Sequence, residues 1–106
     1  MRLRPDDTTL PDDTTLALDD EHLAAEVGSD LIIMSMRTDQ YYGLEAVGAY
    51  VWRLLERPRS FSEVVSSVSE RFVVDRVTAA RDLTAFVRDL ESEGLLELRP
   101  VGVADA

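Results

Sequence analysis

Apolar positions along the chain follow two rhythms, and the change between them falls inside Thr38 to Glu56, TDQYYGLEAVGAYVWRLLE. Upstream the spacing is that of strands. "HLAAEV", "GSD" and "LIIMSM" read as two strands joined by a tight hairpin at Gly28–Ser29. Leu31 to Met36 is apolar on both faces until Ser35, the mark of a central strand. "RTDQ" makes a second turn, and Tyr41 to Leu44 is a third, short strand. Three antiparallel strands are the minimum for a stable small sheet, and helices must cover one face.

Downstream the period becomes helical. Val47, Tyr50, Val51, Leu54 and Leu55 form one apolar stripe, which Pro58 stops. Ser60 and Glu63 form a capping box, and Phe61, Val64, Val65, Val68 and Phe72 supply the buried face of a second helix. A third opens between Asp75 and Thr78, buries Leu83, Phe86, Val87 and Leu90, and ends at Gly94. "LLEL" closes the fold as an extended tail against the core. The order predicts an α+β domain of winged helix-turn-helix type: a three-stranded antiparallel sheet followed by three helices.

Neither rhythm is visible at the N-terminus. Pro5–Leu10 and Pro11–Leu16 are both PDDTTL, two copies too short for a solenoid. Proline, paired aspartates and threonines disfavour a packed element. Residues 1–20 are therefore expected to be a flexible acidic arm, 21–98 the domain, and 99–106 a flexible tail.

Composition narrows the classes. A chain of 106 residues with 45% hydrophobic content is one small globular domain. Residues 1–30 hold nine acids against two arginines (−7), and residues 31–106 twelve against nine (−3), giving the net charge of −10. Such a surface disfavours nonspecific contact with nucleic acid or anionic lipid. No apolar run is long enough to span a bilayer, "MRLRPDD" lacks the apolar core of a secretion signal, and there is no cysteine. A cytoplasmic protein is expected.

No reactive constellation stands out. The single histidine, His22, has no second histidine or cysteine to share a metal and reads as a solvated strand residue. The five glycines are scattered, so no phosphate loop is formed. Asp82, Asp89, Glu91 and Glu93 alternate with Arg76, Arg81 and Arg88, which reads as a solvated helix face. No catalysis, cofactor or metal is expected. The second and third helices fit a helix-turn-helix, but acids outnumber arginines on the third and the chain has no lysine, which argues against a DNA-binding regulator.

The short strand answers the remaining question. In a meander Tyr41–Leu44 is an edge, and edges are usually blunted by proline, lysine or bulges. Here stand Tyr41, Tyr42, Gly43 and Leu44. An open edge beside a helix can receive an extended peptide; the plainer reading is that the tyrosines merely alternate between core and surface.

The run YYGLEAVGAYVWRLLERPRSFSEVVSSVSERF, followed by RDLTAFVRDLESEGLL, resembles the PqqD-like family, the peptide-recognition elements of pathways for ribosomally made, modified peptides. The ordered set is Tyr41, Tyr42, Leu44, Gly48, Trp52, Asp82, Phe86, Leu90, Gly94 and Leu95; Glu45 stands where the family often has asparagine. The resemblance spans about Glu21 to Leu96. It implies a winged-helix-like domain that binds a precursor's leader peptide as a fourth strand, between the third strand and the third helix. It also implies a stand-alone, non-catalytic chaperone of lasso-peptide type, serving a leader peptidase ahead of a cyclase. A radical enzyme as the maturase, or a DNA-binding role, are the alternatives. The expected site is Tyr41, Tyr42, Gly43 and Leu44 with Val77, Arg81, Thr84 and Arg88 along the exposed flank of the third helix. Arginine there would suit acidic leader residues. Register alone decides which tyrosine faces the groove.

Overall fold

Strand pairing divides the chain into two small antiparallel sheets with the helices packed between and beside them. The computed structural model describes residues 9–99, so residues 1–8 of the expected arm and 100–106 of the expected tail lie outside it. The elements in chain order are β1 (Thr15–Leu18), β2 (His22–Val27), β3 (Asp30–Ser35), β4 (Tyr41–Leu44), α1 (Ala46–Leu54), β5 (Arg59–Ser60), α2 (Phe61–Phe72), α3 (Arg76–Ser92) and β6 (Leu96–Arg99). One sheet has the order β2-β3-β4, the expected meander; the other has the order β5-β1-β6. This mixed architecture is the winged-helix-like fold read from the pattern, with a second sheet added.

In β3 the side chains alternate. Leu31, Ile33 and Ser35 are buried, while Ile32 points outward. Ser35 is tolerated in the buried row because its hydroxyl accepts bonds from the backbone N–H groups of Arg37 (3.2 Å) and Thr38 (3.3 Å). Gly28, with φ at 65°, makes the β2–β3 turn, a conformation in which glycine bears no Cβ penalty. The outer face of this sheet stays uncovered, with Leu23, Ile32 and Tyr41 all exposed.

The helix boundaries follow local chemistry. Glu63 N–H donates to Ser60 Oγ at 3.1 Å and Ser60 N–H to Glu63 Oε1 at 3.0 Å, closing the capping box of α2. Asp75 caps α3, accepting from Thr78 N–H at 2.8 Å; that backbone bond, together with the Thr78 hydroxyl, holds its carboxyl below the ordinary value. At the other end, Leu95 N–H reaches Leu90 C=O and Gly94 N–H reaches Glu91 C=O, with Gly94 at φ 77°, the double bond pattern of a Schellman stop.

The expectation of an unpacked arm through residue 20 is corrected. β1 is the central strand of its sheet, pairing Leu16 with Leu98 of β6 and with Arg59 of β5. Leu10, Thr14, Leu16 and Ala17 are buried, Leu16 completely. The polar residues before β1 are used as well. Thr14 C=O accepts from Phe61 N–H at 2.7 Å, and Asp12 C=O from Ser62 N–H at 2.9 Å. The second PDDTTL copy thus builds the start of α2 and the middle of a sheet. Composition favoured disorder, but the offsetting contacts come from β6, some eighty residues away. "LLEL", expected as an extended tail, is extended and hydrogen-bonded as β6.

Candidate functional site

β4 lies at the edge of its sheet, as its position in a meander requires. The direction of its backbone groups follows from two bonds at the ends of β3. Ser35 N–H donates to Gln40 C=O, and Met36 N–H donates to Glu21 C=O, each at 2.9 Å. Successive residues of a strand direct their amides to opposite sides, so odd residues of β3 bond towards β4 and even ones towards β2. Ile33–Tyr42 and Leu31–Leu44 are therefore the hydrogen-bonded pairs, and Met34–Tyr41 and Ile32–Gly43 the open ones. Tyr41 and Gly43 direct N–H and C=O away from the sheet.

The same register decides the side chains. Tyr42 and Leu44 share the core face with Ile33 and Leu31; Tyr41 shares the outer face with Met34 and is 69% exposed. Tyr42 is thus the tyrosine on the helix side. Its phenol donates to Glu93 Oε1 at 2.8 Å, and that bond is the main reason its pKa is raised above 10.0.

Beside the open edge is a cavity of about 400 Å³ between β4 and α3. Its β4 wall is Gly43 and Leu44, continued by Glu45, Val47 and Gly48 at the start of α1. The far wall is Ala79, Asp82, Leu83 and Phe86 of α3, and Val68 and Val74 close it at the α2–α3 corner. Gly48 lies against the α3 wall: a Cβ there would stand 3.4 Å from Phe86 Cζ, in ordinary van der Waals contact. Glu45 is the N-cap of α1 but makes no side-chain cap bond, and Ala46 follows at φ 46°. Glu45 is one of the residues that line the cavity.

Of the residues expected in the site, the structure brings Tyr42, Gly43 and Leu44 to the helix side, with Tyr41 contributing only its backbone there. It does not bring Val77, Arg81, Thr84 and Arg88 to the cavity. Those four occupy the opposite flank of α3 from Ala79, Asp82 and Phe86, since residues three to four apart share a helix face. Thr84 is buried; its hydroxyl donates to Ala80 C=O at 2.8 Å and accepts from Leu10 N–H at 3.2 Å, beneath the N-terminal segment. Both flanks carry exposed charge in the sequence, and only the packing of Leu10 against one and β4 against the other tells them apart. Gly48, Asp82 and Phe86 were missed as lining residues, although they belong to the ordered set that carries the family resemblance.

The groove is flanked by acids. Asp82, Phe86, Asp89 and Glu93 follow one another at one-turn intervals on α3, whereas Arg81 and Arg88 are on the other side. Arg76 is held towards α2 by the Ser62 (3.0 Å) and Ser66 (2.6 Å) hydroxyls. Among the described residues no group of three or more His, Asp or Glu side chains is placed to hold a metal ion, and no helix is long and apolar enough to cross a membrane.

Comparison with solved structures finds a similar fold in two proteins. A chain described as TbiB1 in complex with the TbiA(beta) leader peptide superposes with a TM-score of 0.72 at 34% identity, over 76% of this chain and 94% of that one. A lasso peptide synthetase B1 complexed with the leader peptide matches with a TM-score of 0.67 at 25% identity, over 77% and 96%. No curated protein sequence matches. Residues 30–96 match the family model described as coenzyme PQQ synthesis protein D, and with the meander, the capped α2 and the Schellman stop of α3 in place, the chain belongs to the PqqD family.

Proposed function

We propose that this domain binds the leader segment of a ribosomally made precursor peptide as an added strand along β4, and presents it, without catalysing a reaction itself, to a separate maturation enzyme of lasso-peptide biosynthesis. The observation that carries this reading is the outward-facing N–H and C=O pair on each of Tyr41 and Gly43, next to an apolar cavity walled by α3. Backbone bonds to such an edge are blind to sequence, so the side-chain pocket supplies selectivity. Both similar structures are described as holding a leader peptide. The sequence-based alternative of DNA binding gains nothing from the geometry, because the open flank of α3 beside the groove is acidic.

The test is titration with synthetic peptides encoded by short open reading frames beside the gene, read by hydrogen exchange. A bound leader is expected to protect the amides of Tyr41 and Gly43, which bond to nothing within the sheet, while those of Tyr42 and Leu44 are slow before and after. Tight binding that leaves Tyr41 and Gly43 unprotected would place the leader elsewhere.

A further inference from the structure

The charge around the groove specifies which kind of segment it receives. This inference rests on the edge-binding reading above. A strand added to β4 places the residues opposite Tyr42 and Leu44 on the helix side and those opposite Tyr41 and Gly43 on the outer face. The residue opposite Leu44 meets the cavity, whose floor is Val47, Val68, Leu83 and Phe86. The residue opposite Tyr42 meets the end of α3 where Glu93 already reaches the phenol. Between these two points α3 carries Asp89, and the cavity rim carries Glu45 and Asp82. Among the described residues none of these four carboxylates is in an ion pair, and the nearest arginines along α3 are tied to α2 or turned to the opposite flank.

We infer that the bound segment is cationic at its helix-facing positions: an aliphatic or aromatic side chain opposite Leu44, seated in the cavity, flanked two residues away by lysine or arginine that meets Asp82 and Glu45 at one end and Asp89 and Glu93 at the other. An acidic segment is rejected, because its carboxylates would be held against four others, and no arginine among the described residues lines the cavity. This reverses the charge expected from Arg81 and Arg88, which the fold puts on the wrong side of the helix. The polarity is a property of this groove, and the open edge alone would not impose it.

The experiment compares two labelled nonapeptides, Thr-Val-Lys-Thr-Leu-Thr-Lys-Val-Thr and the same peptide with both lysines replaced by glutamate, against the full chain by fluorescence anisotropy and amide chemical shifts. The lysine peptide is expected to bind about tenfold more tightly at roughly 50 mM salt. Exposed ion pairs are screened, so the ratio should fall below about threefold at roughly 500 mM salt. It should fall equally in the Asp82→Asn/Asp89→Asn double variant, which removes charge while preserving shape. Equal affinities for the two peptides, both lost in Gly43→Pro, would overturn the charge preference and leave the edge reading standing. Absence of binding by either up to about 2 mM would overturn both.

Discussion

The phenol of Tyr42 donates to the Glu93 carboxylate at 2.8 Å, fastening the middle of β4 to the C-terminal end of α3 across 51 residues of chain. The bond closes one end of the groove and orients the wall that a peptide would meet. It favours the neutral phenol, so Tyr42 ionises above 10.0, Glu93 being the first cause. A group whose folded pKa is raised gives its full contribution to stability below the unfolded value and loses it as pH rises through the folded one. Thermal stability should therefore be flat in this respect to about pH 9 and fall above about pH 10. Tyr42→Phe should flatten that alkaline fall. The difference between the ultraviolet titrations of parent and variant should show a phenol ionising above 10; a difference curve centred at or below 10 would refute the assignment.

Proline at two adjacent positions should separate folding from binding. Gly43 N–H points away from the sheet, so Gly43→Pro removes the donor offered to a peptide while keeping every bond between β3 and β4. Its Cβ would meet only Ile32 Cδ1, at 3.9 Å. The melting midpoint should stay within about 5 °C while leader affinity falls at least about tenfold. Tyr42→Pro deletes a bond to Ile33 within the sheet and should lower the midpoint strongly before binding is even considered. Calorimetry and circular dichroism on both variants decide; a Gly43→Pro protein that binds like the parent would exclude the edge.

The second copy of the repeat should be indispensable. Leu16 is fully buried in the central strand of the β5-β1-β6 sheet. Leu16→Ala should cost about 2–5 kcal/mol. Removing residues 1–18 deletes β1 and leaves β5 and β6 without a partner, so cooperative unfolding should disappear. A truncated chain that melts within a few degrees of the parent would show that β1 contributes no packing.

Val73 ends α2 with φ 53° and is 91% exposed. A β-branched residue is strained in the left-handed region, and here its side chain has no compensating burial. Val73→Gly should raise stability by about 1 kcal/mol, measured by chemical denaturation. A loss of stability would mean that the valine restrains the unfolded chain more than its backbone strains the native one.

Much of this protein is local and so is readable from its residues. The Ser60–Glu63 box, the Asp75 cap, the Gly94 stop and the Gly28 hairpin each act within a few positions, and the periodicity of β3 and of the helices reports which faces are buried. From these follow the meander and its open edge at Tyr41–Leu44, while the ordered set from Tyr41 to Leu95 carries the resemblance to the family. What the residues could not decide is whatever depends on partners distant in sequence. Thr15–Leu18 is too short and too polar in its surroundings to declare itself a strand; it becomes one because β5 and β6 each supply a ladder. Both exposed flanks of α3 are charged, one by acids and the other by Arg81 and Arg88, and the acidic one becomes the groove wall only because β4 and α1 pack beside Phe86 while Leu10 covers Thr84. The choice between Tyr41 and Tyr42 likewise awaited the register with β3, since a shift of one residue exchanges the faces of a strand while its sequence stays the same.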